Sequence, residues 1–144
     1  EIVGAIGLTL DYGSVTQTSY FYRETTSSGN TGNSNVLTIT VNTLPTVTIS
    51  ATPSTICYGE FSDLSATGGT SYSWSPAGNL NNAAIPAPRY TPLSNPTTPT
   101  QITTSFTVTV TDANSCVNTN TIDVVVNRLP ETGTQYHIQN SWGL

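Results

Sequence analysis

Charged residues are scarce in this chain of 144 residues, at 8 % of the sequence, against about 25 % in typical soluble proteins. Threonine, serine and asparagine fill the polar positions instead. Disordered chains usually combine high net charge with few β-branched residues, so this composition argues against disorder. It is typical of strands that alternate polar and apolar side chains.

Basic residues are scarcer still. There are three, at Arg23, Arg89 and Arg128, and the formal net charge is −5. A nucleic acid or an anionic membrane surface requires a basic face on its partner, so neither is expected to bind here. No stretch approaches the roughly 18 apolar residues that a membrane-spanning helix needs.

Good helix formers are also few, and no apolar pattern of period 3.6 continues for three turns. Apolar residues instead recur at every second position. Phe106, Val108 and Val110 alternate with serine and threonine, and Val124 and Val126 continue the pattern after a turn at residues 112–115. The stretch 103–127 therefore predicts a long antiparallel hairpin with one buried face, and we expect an all-β fold.

The hairpin pattern occurs twice in the chain. Residues 16–45 align with residues 101–130 without gaps, at an offset of 85 residues. Phe21 then corresponds to Phe106, the pair Asn33 and Asn35 corresponds to Asn118 and Asn120, and both segments end in Val-Asn-x-Leu-Pro. The shared ending predicts an internal repeat.

The repeat sets the expected domain boundaries. Prolines 45 and 130 follow the last strand of each unit, where a missing N–H ends the ladder. We expect immunoglobulin-like β-sandwich repeats: a partial unit at residues 1–44, a complete unit at 45–130 and a strand-like tail at 131–144. Half a sandwich leaves an apolar face and an open edge. Either a longer array or a strand donated by another copy would cover them.

The expected core of the complete unit is aromatic and aliphatic. Trp74 lies on the predicted third strand, where a buried tryptophan fits an immunoglobulin-type sandwich. Leu64, Phe106 and Val108 are its predicted neighbours.

Several motifs carry a family resemblance: TICYGE, SATGG, SYSWSP, TSFTVTVTDANSC and DVVVNRLP. They resemble the PKD-like or immunoglobulin-like repeats of secreted and cell-surface proteins of gliding-type, Bacteroidota-like bacteria. The resemblance covers residues 45–130 and, in part, residues 16–45. It implies a bacterial cell-surface location, a structural role in a stalk, adhesin or filament, and export by the type IX route.

Two cysteines in a β-protein of this composition suggest one disulfide, with two unrelated buried thiols as the alternative. The resemblance implies that Cys57 pairs with Cys116. The first unit has Thr31 where Cys116 stands, so that bridge would be absent there. A bond between the two would close a loop of about 60 residues and stabilise the fold by roughly 4 kcal/mol.

Motifs for catalysis are missing: there is no Ser-His-Asp order, P-loop or zinc spacing. We expect no enzyme activity, no cofactor and no metal site. Residues 129–133 spell the sortase signal Leu-Pro-Glu-Thr-Gly, but no apolar span follows, so we interpret it as coincidence. His137 is the single histidine and cannot form a metal site by itself. Asp112 and Asn114 could offer oxygens to Ca²⁺, although turn capping explains them more simply.

Aromatic residues are the best candidates for binding. Tyr20 and Tyr22, together with Tyr136, Ile138 and Trp142 of the tail, are the predicted assembly interface with other copies or neighbouring repeats. The alternative hypothesis is a carbohydrate-binding accessory module of a larger secreted enzyme, with surface glycans stacked on exposed rings. Its candidate residues are Tyr20, Tyr22, Tyr58, Tyr72, Tyr90 and Trp142.

Overall fold

A computed structural model describes residues 13–96 and 100–130 of the chain. The regular elements in these residues are eleven strands, with no helix, so the all-β prediction is confirmed. The chain divides into two compact units between Thr43 and Leu44. The first unit contains β1 (Ser19–Phe21), β2 (Glu24–Ser27), β3 (Asn30–Asn33) and β4 (Leu37–Ile39).

The first unit is built of two antiparallel pairs. Strand β1 pairs with β4, and β2 pairs with β3. Ser28 and Gly29 both have positive φ, at 49° and 83°, as a two-residue hairpin turn of type I′ requires. Strand β3 follows this turn directly, within a stretch rich in glycine and asparagine.

The second unit has two sheets that face one core, as in a β-sandwich. The four-stranded sheet has the order β6-β11-β10-β8, and the three-stranded sheet has the order β5-β7-β9. The strands are β5 (Thr48–Thr52), β6 (Thr55–Cys57), β7 (Ser62–Thr67), β8 (Ser71–Ser75), β9 (Arg89–Tyr90), β10 (Gln101–Thr111) and β11 (Val117–Asn127).

The first segment of the second unit changes sheets. Strand β5 pairs antiparallel with β7, whereas β6 pairs in parallel with the end of β11. Pro53 and Ser54 separate the two strands. Because proline cannot donate to a ladder, it is suited to such a break. The carbonyl of Pro53 accepts a hydrogen bond from the Ser62 hydroxyl at 2.7 Å, which ties the break to β7.

The core is made by side chains from both sheets. Phe106, Val108 and Val110 of β10 are fully buried, and Leu64 of β7 and Trp74 of β8 are nearly so. All four residues that the sequence predicts for the core thus lie within it. Alternation along the second half of β10 places Phe106, Val108 and Val110 inward and Thr107 and Thr109 outward.

The proline-rich segment before β10 passes from one sheet to the other. The carbonyl of Ala83 accepts from the Trp74 N–H of β8 at 2.8 Å. A few residues later, the carbonyls of Pro86 and Pro88 accept from Ala66 and Leu64 of β7, at 2.8 and 2.9 Å. At this edge the prolines act only as hydrogen-bond acceptors. Because they have no N–H, they block further strand pairing there.

The second unit has two poles, which are the ends of β11. The Asn118 amide at the start of β11 donates to the Pro45 carbonyl at 2.9 Å, so the chain enters the unit at this end. We call it the entry pole. Asn127 ends β11 next to the segment at which the chain leaves, where the Arg128 N–H donates to the Thr100 carbonyl at 2.8 Å. This end is the exit pole.

Candidate functional site

The hairpin β10–β11 of the second unit is covered on its inner face. Phe106 lies opposite Ile122 in the antiparallel register. The ring of Tyr90, from the other sheet, meets the Phe106 ring edge-on with the centroids 4.9 Å apart. Tyr90 is therefore a core residue with 3 % of its surface exposed, and it is not available for a binding surface as the alternative hypothesis requires.

The hairpin β1–β4 of the first unit has the same register as β10–β11. Phe21 lies opposite Leu37, and Ser19 lies opposite Ile39. Adding the offset of 85 to each residue gives Phe106 opposite Ile122 and Thr104 opposite Val124, which are the pairs observed in the second unit. The two segments that are similar in sequence thus pair in the same way.

The inner face of the first hairpin is exposed. Leu37 is 60 % exposed and Ile39 is 38 % exposed, whereas Val124, which corresponds to Ile39, is fully buried. Phe21 and Val41 are half-buried, and none of the described residues 13–43 is buried. Exposed apolar side chains side by side on a sheet are a binding surface or an aggregation hazard. We call Phe21, Leu37, Ile39 and Val41 the open face.

Tyr20 and Tyr22 lie on the opposite side of the same strand. Tyr20 is paired with Thr38 and is 70 % exposed, and Tyr22 is 57 % exposed. In the second hairpin the corresponding face, with Ser105 and Thr107, points away from the core. The structure therefore separates the predicted interface tyrosines from the open face of the hairpin.

The tail residues of the predicted interface, Tyr136, Ile138 and Trp142, lie outside the described residues. His137 and most of the Leu-Pro-Glu-Thr-Gly motif lie there too. The remaining aromatic candidates have structural contacts. The Tyr72 hydroxyl donates to the Gly69 carbonyl at 2.9 Å, and Tyr58 packs partly buried against the core.

Two asparagines have a structural role that the sequence patterns did not predict. Asn118 and Asn120 point inward from β11, and their side-chain amides donate to the carbonyls of Pro45 and Val47, at 2.9 and 3.0 Å. They attach the first strand of the unit to the opposite sheet. The signal was present in the repeat, because asparagine recurs at the corresponding positions 33 and 35.

The structure corrects the expected disulfide. Cys57 and Cys116 are both free thiols; Cys57 is exposed and Cys116 is half-buried. Cys57 pairs with Asn127 at the exit pole, whereas Cys116 immediately precedes β11 at the entry pole. The length of β11 separates them by more than about 30 Å, and a disulfide requires Cα atoms within about 7 Å. The topology therefore prevents the bond within one unit.

The turn between β10 and β11 is closed by a carboxylate. Asp112 Oδ1 accepts from the backbone N–H groups of Asn114 and Cys116, at 2.8 and 2.9 Å. Ser115 has φ of 64° in this turn. These hydrogen bonds support turn capping as the role of Asp112 and Asn114, because backbone N–H groups occupy one carboxylate oxygen of Asp112.

A charged cluster lies on the surface of the three-stranded sheet. Arg89 Nε donates to Asp63 Oδ1 at 2.8 Å, and the Arg89 guanidinium lies 3.8 Å from the centroid of the Phe61 ring. The hydrogen bond from Arg89 lowers the pKa of Asp63 below its ordinary value, and the same bond raises the pKa of Arg89. Both side chains are about half exposed, so the pair is a surface contact of modest strength.

In residues 13–96 and 100–130, no three His, Cys, Asp or Glu side chains come together in a group that could hold a metal ion. No helix in the same residues is long and apolar enough to cross a membrane. The features that stand out are the open face, the exposed tyrosines and the two poles with their thiols.

No established protein family matches this sequence, and no curated protein is significantly similar to it. The resemblance to PKD-like repeats of gliding-type bacteria therefore stays a hypothesis.

Proposed function

We propose that this chain is a non-catalytic structural or adhesive module of the bacterial cell surface, in which immunoglobulin-like sandwiches are linked end to end in a fibre, filament or adhesin stalk. The observation that carries the proposal is the pair of hairpins. They share one register, yet one is covered by a second sheet and the other is open. A hairpin of this type is stable when a further strand or sheet covers it.

Strand order supports the immunoglobulin-like assignment. The sheet β5-β7-β9 corresponds to strands A, B and E of such a sandwich, and β8-β10-β11 corresponds to C, F and G. Trp74 then lies on strand C, as the buried tryptophan of immunoglobulin domains does. The parallel strand β6 is the second half of strand A, moved to the other sheet.

The two poles support an end-to-end arrangement. The chain enters the second unit beside Asn118 and leaves it beyond Asn127, so the length of β11 lies between the two points. An entry and an exit at opposite ends of the unit are what an end-to-end stalk needs.

The second unit supports one proposal for what covers the open face. There, β6 lies parallel to the end of β11, with Ile56 opposite Val126. Val41 corresponds to Val126, so residues 40–42 correspond to the segment of β11 that pairs with a parallel strand in the second unit. The tail at residues 131–144 contains Tyr136 and Ile138 in alternation with polar residues. In the proposed assembly, this tail of one copy adds a parallel strand to β4 of the next.

Deletion of residues 131–144 tests this assembly. The truncated chain should remain monomeric in analytical ultracentrifugation, with the near-ultraviolet circular dichroism of the second unit unchanged, while the full chain forms fibres visible by electron microscopy. Assembly of the truncated chain would contradict donation by the tail.

Point variants sharpen the test. Ile39→Asn on the open face should prevent assembly, because a buried amide without a partner costs about 1–3 kcal/mol. Thr38→Asn, on the opposite face of the same strand, is the matched control and should assemble normally. Equal behaviour of the two variants would mean that the open face is not the contact.

Carbohydrate binding is the second candidate function, and the exposure of Tyr20 and Tyr22 favours it. Two rings at alternate positions on one strand face can stack on sugar residues. Glycan-array binding that is lost in Tyr20→Ala, and retained in Leu37→Ala on the other face, would support an accessory module. A glycan array without any binding signal would argue against carbohydrate binding and leave the structural module as the proposed function.

A further inference from the structure

We propose that Asn33 and Asn35 of the first unit bind two backbone carbonyls of an incoming strand, after β3 slips by one residue along β2. The incoming strand is the segment of a second copy that begins at Leu129 and Pro130. This inference rests on the strand donation of the proposed function, and it names the residues that hold the donated backbone.

The second unit contains a pair of asparagines that holds a strand in this way. Asn118 and Asn120 each accept the N–H of the following residue on the side-chain oxygen, at 2.9 and 2.8 Å. These bonds fix the orientation of each amide, whose NH2 group donates to the carbonyl of Pro45 or Val47. Proline offers a carbonyl as any other residue does. The pair therefore recognises an extended strand by its backbone.

Asn33 and Asn35 are the corresponding residues of the first unit. Both are exposed, and among residues 13–96 and 100–130 neither side chain has a hydrogen-bond partner. Asn35 stands two residues before Leu37 of the open face, and alternate residues of an extended chain lie on one side. Its amide is therefore available to a strand that covers the open face.

The register of the first unit differs between its two strand pairs. The register of β1 and β4 is that of the second unit, and its continuation would place Thr25 opposite Asn33. Thr25 lies opposite Gly32 instead, and Asn33 lies opposite Glu24. Because neighbouring residues of a strand point to opposite faces, this slip turns the Asn33 side chain away from the face of Thr25. The reverse slip would bring Asn33 to the side that Asn118 occupies in the second unit.

Ser34 takes up the extra residue between the two strand pairs. Its hydroxyl accepts from the Arg23 N–H at 2.8 Å, and its own N–H donates to the Arg23 carbonyl at 2.8 Å. Two residues on one side thus oppose one residue on the other, which is the arrangement of a β-bulge. Since the bulge lies between the pairs, β3 can slip while β1 and β4 stay paired.

Turn chemistry allows both registers, because the loop length of a hairpin fixes its register. The observed turn has two residues, and Ser28 has φ of 49° in it, a left-handed conformation that is unfavourable for most residues other than glycine. The other register has a three-residue loop like the one before β11, where Ser115 is left-handed with φ of 64°. Asn30 corresponds to Ser115, and asparagine tolerates this conformation well. A bound strand can therefore shift the balance between the registers.

The donated segment resembles the strand that the second pair of asparagines holds. Leu129 and Pro130 repeat the Leu-Pro sequence that precedes β5. By this correspondence, the Pro130 carbonyl accepts from the Asn33 amide and the Thr132 carbonyl accepts from the Asn35 amide. The residues that follow run in the direction of β4, along the open face.

Sedimentation velocity of the whole chain over a concentration series tests the asparagine pair. Asn33→Ala and Asn35→Ala each remove one donor and should weaken association about threefold to tenfold, as the loss of one hydrogen bond does. Thr26→Ala, an exposed residue of the same unit, is the control and should associate like the wild type. Wild-type association of either asparagine variant would overturn the pair and leave strand donation intact. A wild type that stays monomeric at every concentration would overturn both.

Two turn variants test the slip with opposite signs. Ser28→Asn creates Asn-Gly, the sequence that most favours the two-residue turn, and should weaken association. Gly29→Ala disfavours that turn and should strengthen association, and we expect each change to be about fivefold to tenfold. Changes in the same direction would overturn the slip. Solid-state NMR of the assembled wild type measures the register itself: Thr25 should lie opposite Asn33, and Thr25 still opposite Gly32 would contradict the proposal.

Discussion

The hairpins β1–β4 and β10–β11 pair in the same register, but they differ in what lies on their inner faces. Phe106, Val108 and Val110 follow one another inward on β10 and are fully buried. The corresponding residues of the first hairpin are Phe21, Arg23 and Thr25, so the apolar pattern stops after one residue. Alternation therefore fixes strand pairing, whereas a run of inward apolar residues is needed for a covering sheet to be stable.

Truncation of the matched phenylalanines should give the largest difference between the hairpins. Phe106→Ala removes a fully buried ring and should lower the free energy of unfolding by about 3–5 kcal/mol. Phe21→Ala, at the corresponding half-buried position, should cost about 1 kcal/mol or less in the monomer. Urea denaturation of the two variants measures this. Equal losses would mean that the first hairpin has a core of its own.

Glycine substitutions make the next comparison. Gly68 has φ of 115°, and a Cβ there would overlap the Thr46 carbonyl, so Gly68→Ala should cost about 3 kcal/mol. Gly29, in the turn between β2 and β3 of the first unit, has φ of 83° with open space around it, and Gly29→Ala should cost about 1 kcal/mol from backbone strain alone. Thermal denaturation checks the order of the two effects; a larger loss at Gly29 would contradict the described packing.

The turn between β10 and β11 is stabilised by the carboxylate of Asp112. Asp112→Ala leaves the N–H groups of Asn114 and Cys116 without their carboxylate acceptor and should cost about 1–2 kcal/mol. Asp112→Asn keeps an acceptor oxygen and is the matched control, so it should lose less free energy of unfolding than Asp112→Ala. A gain of melting temperature with Ca²⁺ in the wild type, absent in Asp112→Ala, would instead show that the turn binds the ion.

The smallest effect is expected from the surface ion pair of the second unit. Because Arg89 lowers the pKa of Asp63 in the folded state, the pair stabilises the fold above the ordinary aspartate pKa of about 3.9, and this contribution is lost as the pH falls through the lowered folded value. The stability difference between wild type and Asp63→Asn should therefore shrink in acid. The stability difference between wild type and Arg89→Gln, measured by denaturation across the same pH range, should shrink in acid in the same way. A stability difference that grows in acid for either variant would contradict the ion pair as the cause.

The sequence predicts the strands of this protein well where alternation is long. The hairpin β10–β11 and its turn follow from alternation and turn chemistry. The inward positions of Trp74 and Leu64 follow in the same way. These features are local, so a single stretch of sequence contains the information.

Features that depend on contacts between strands distant in the sequence could not be predicted from local patterns. The number of cysteines suggests one disulfide and the family resemblance implies the pair, whereas the parallel pairing of β6 with the end of β11 places the two thiols at opposite poles. Tyr90 was a candidate for binding because the two-residue strand β9 is too short to show a pattern. The hydrogen bonds from the side-chain amides of Asn118 and Asn120 join residues that are 73 positions apart in the chain, so no single stretch of sequence contains them.

Amide hydrogen exchange as a function of protein concentration tests most directly whether the first hairpin needs a partner. The account predicts that amides of β10 and β11 are protected at every concentration, whereas those of β1 and β4 exchange rapidly in the dilute monomer and become protected as chains assemble. Strong protection of β1 and β4 at a concentration where sedimentation shows only monomer would contradict it.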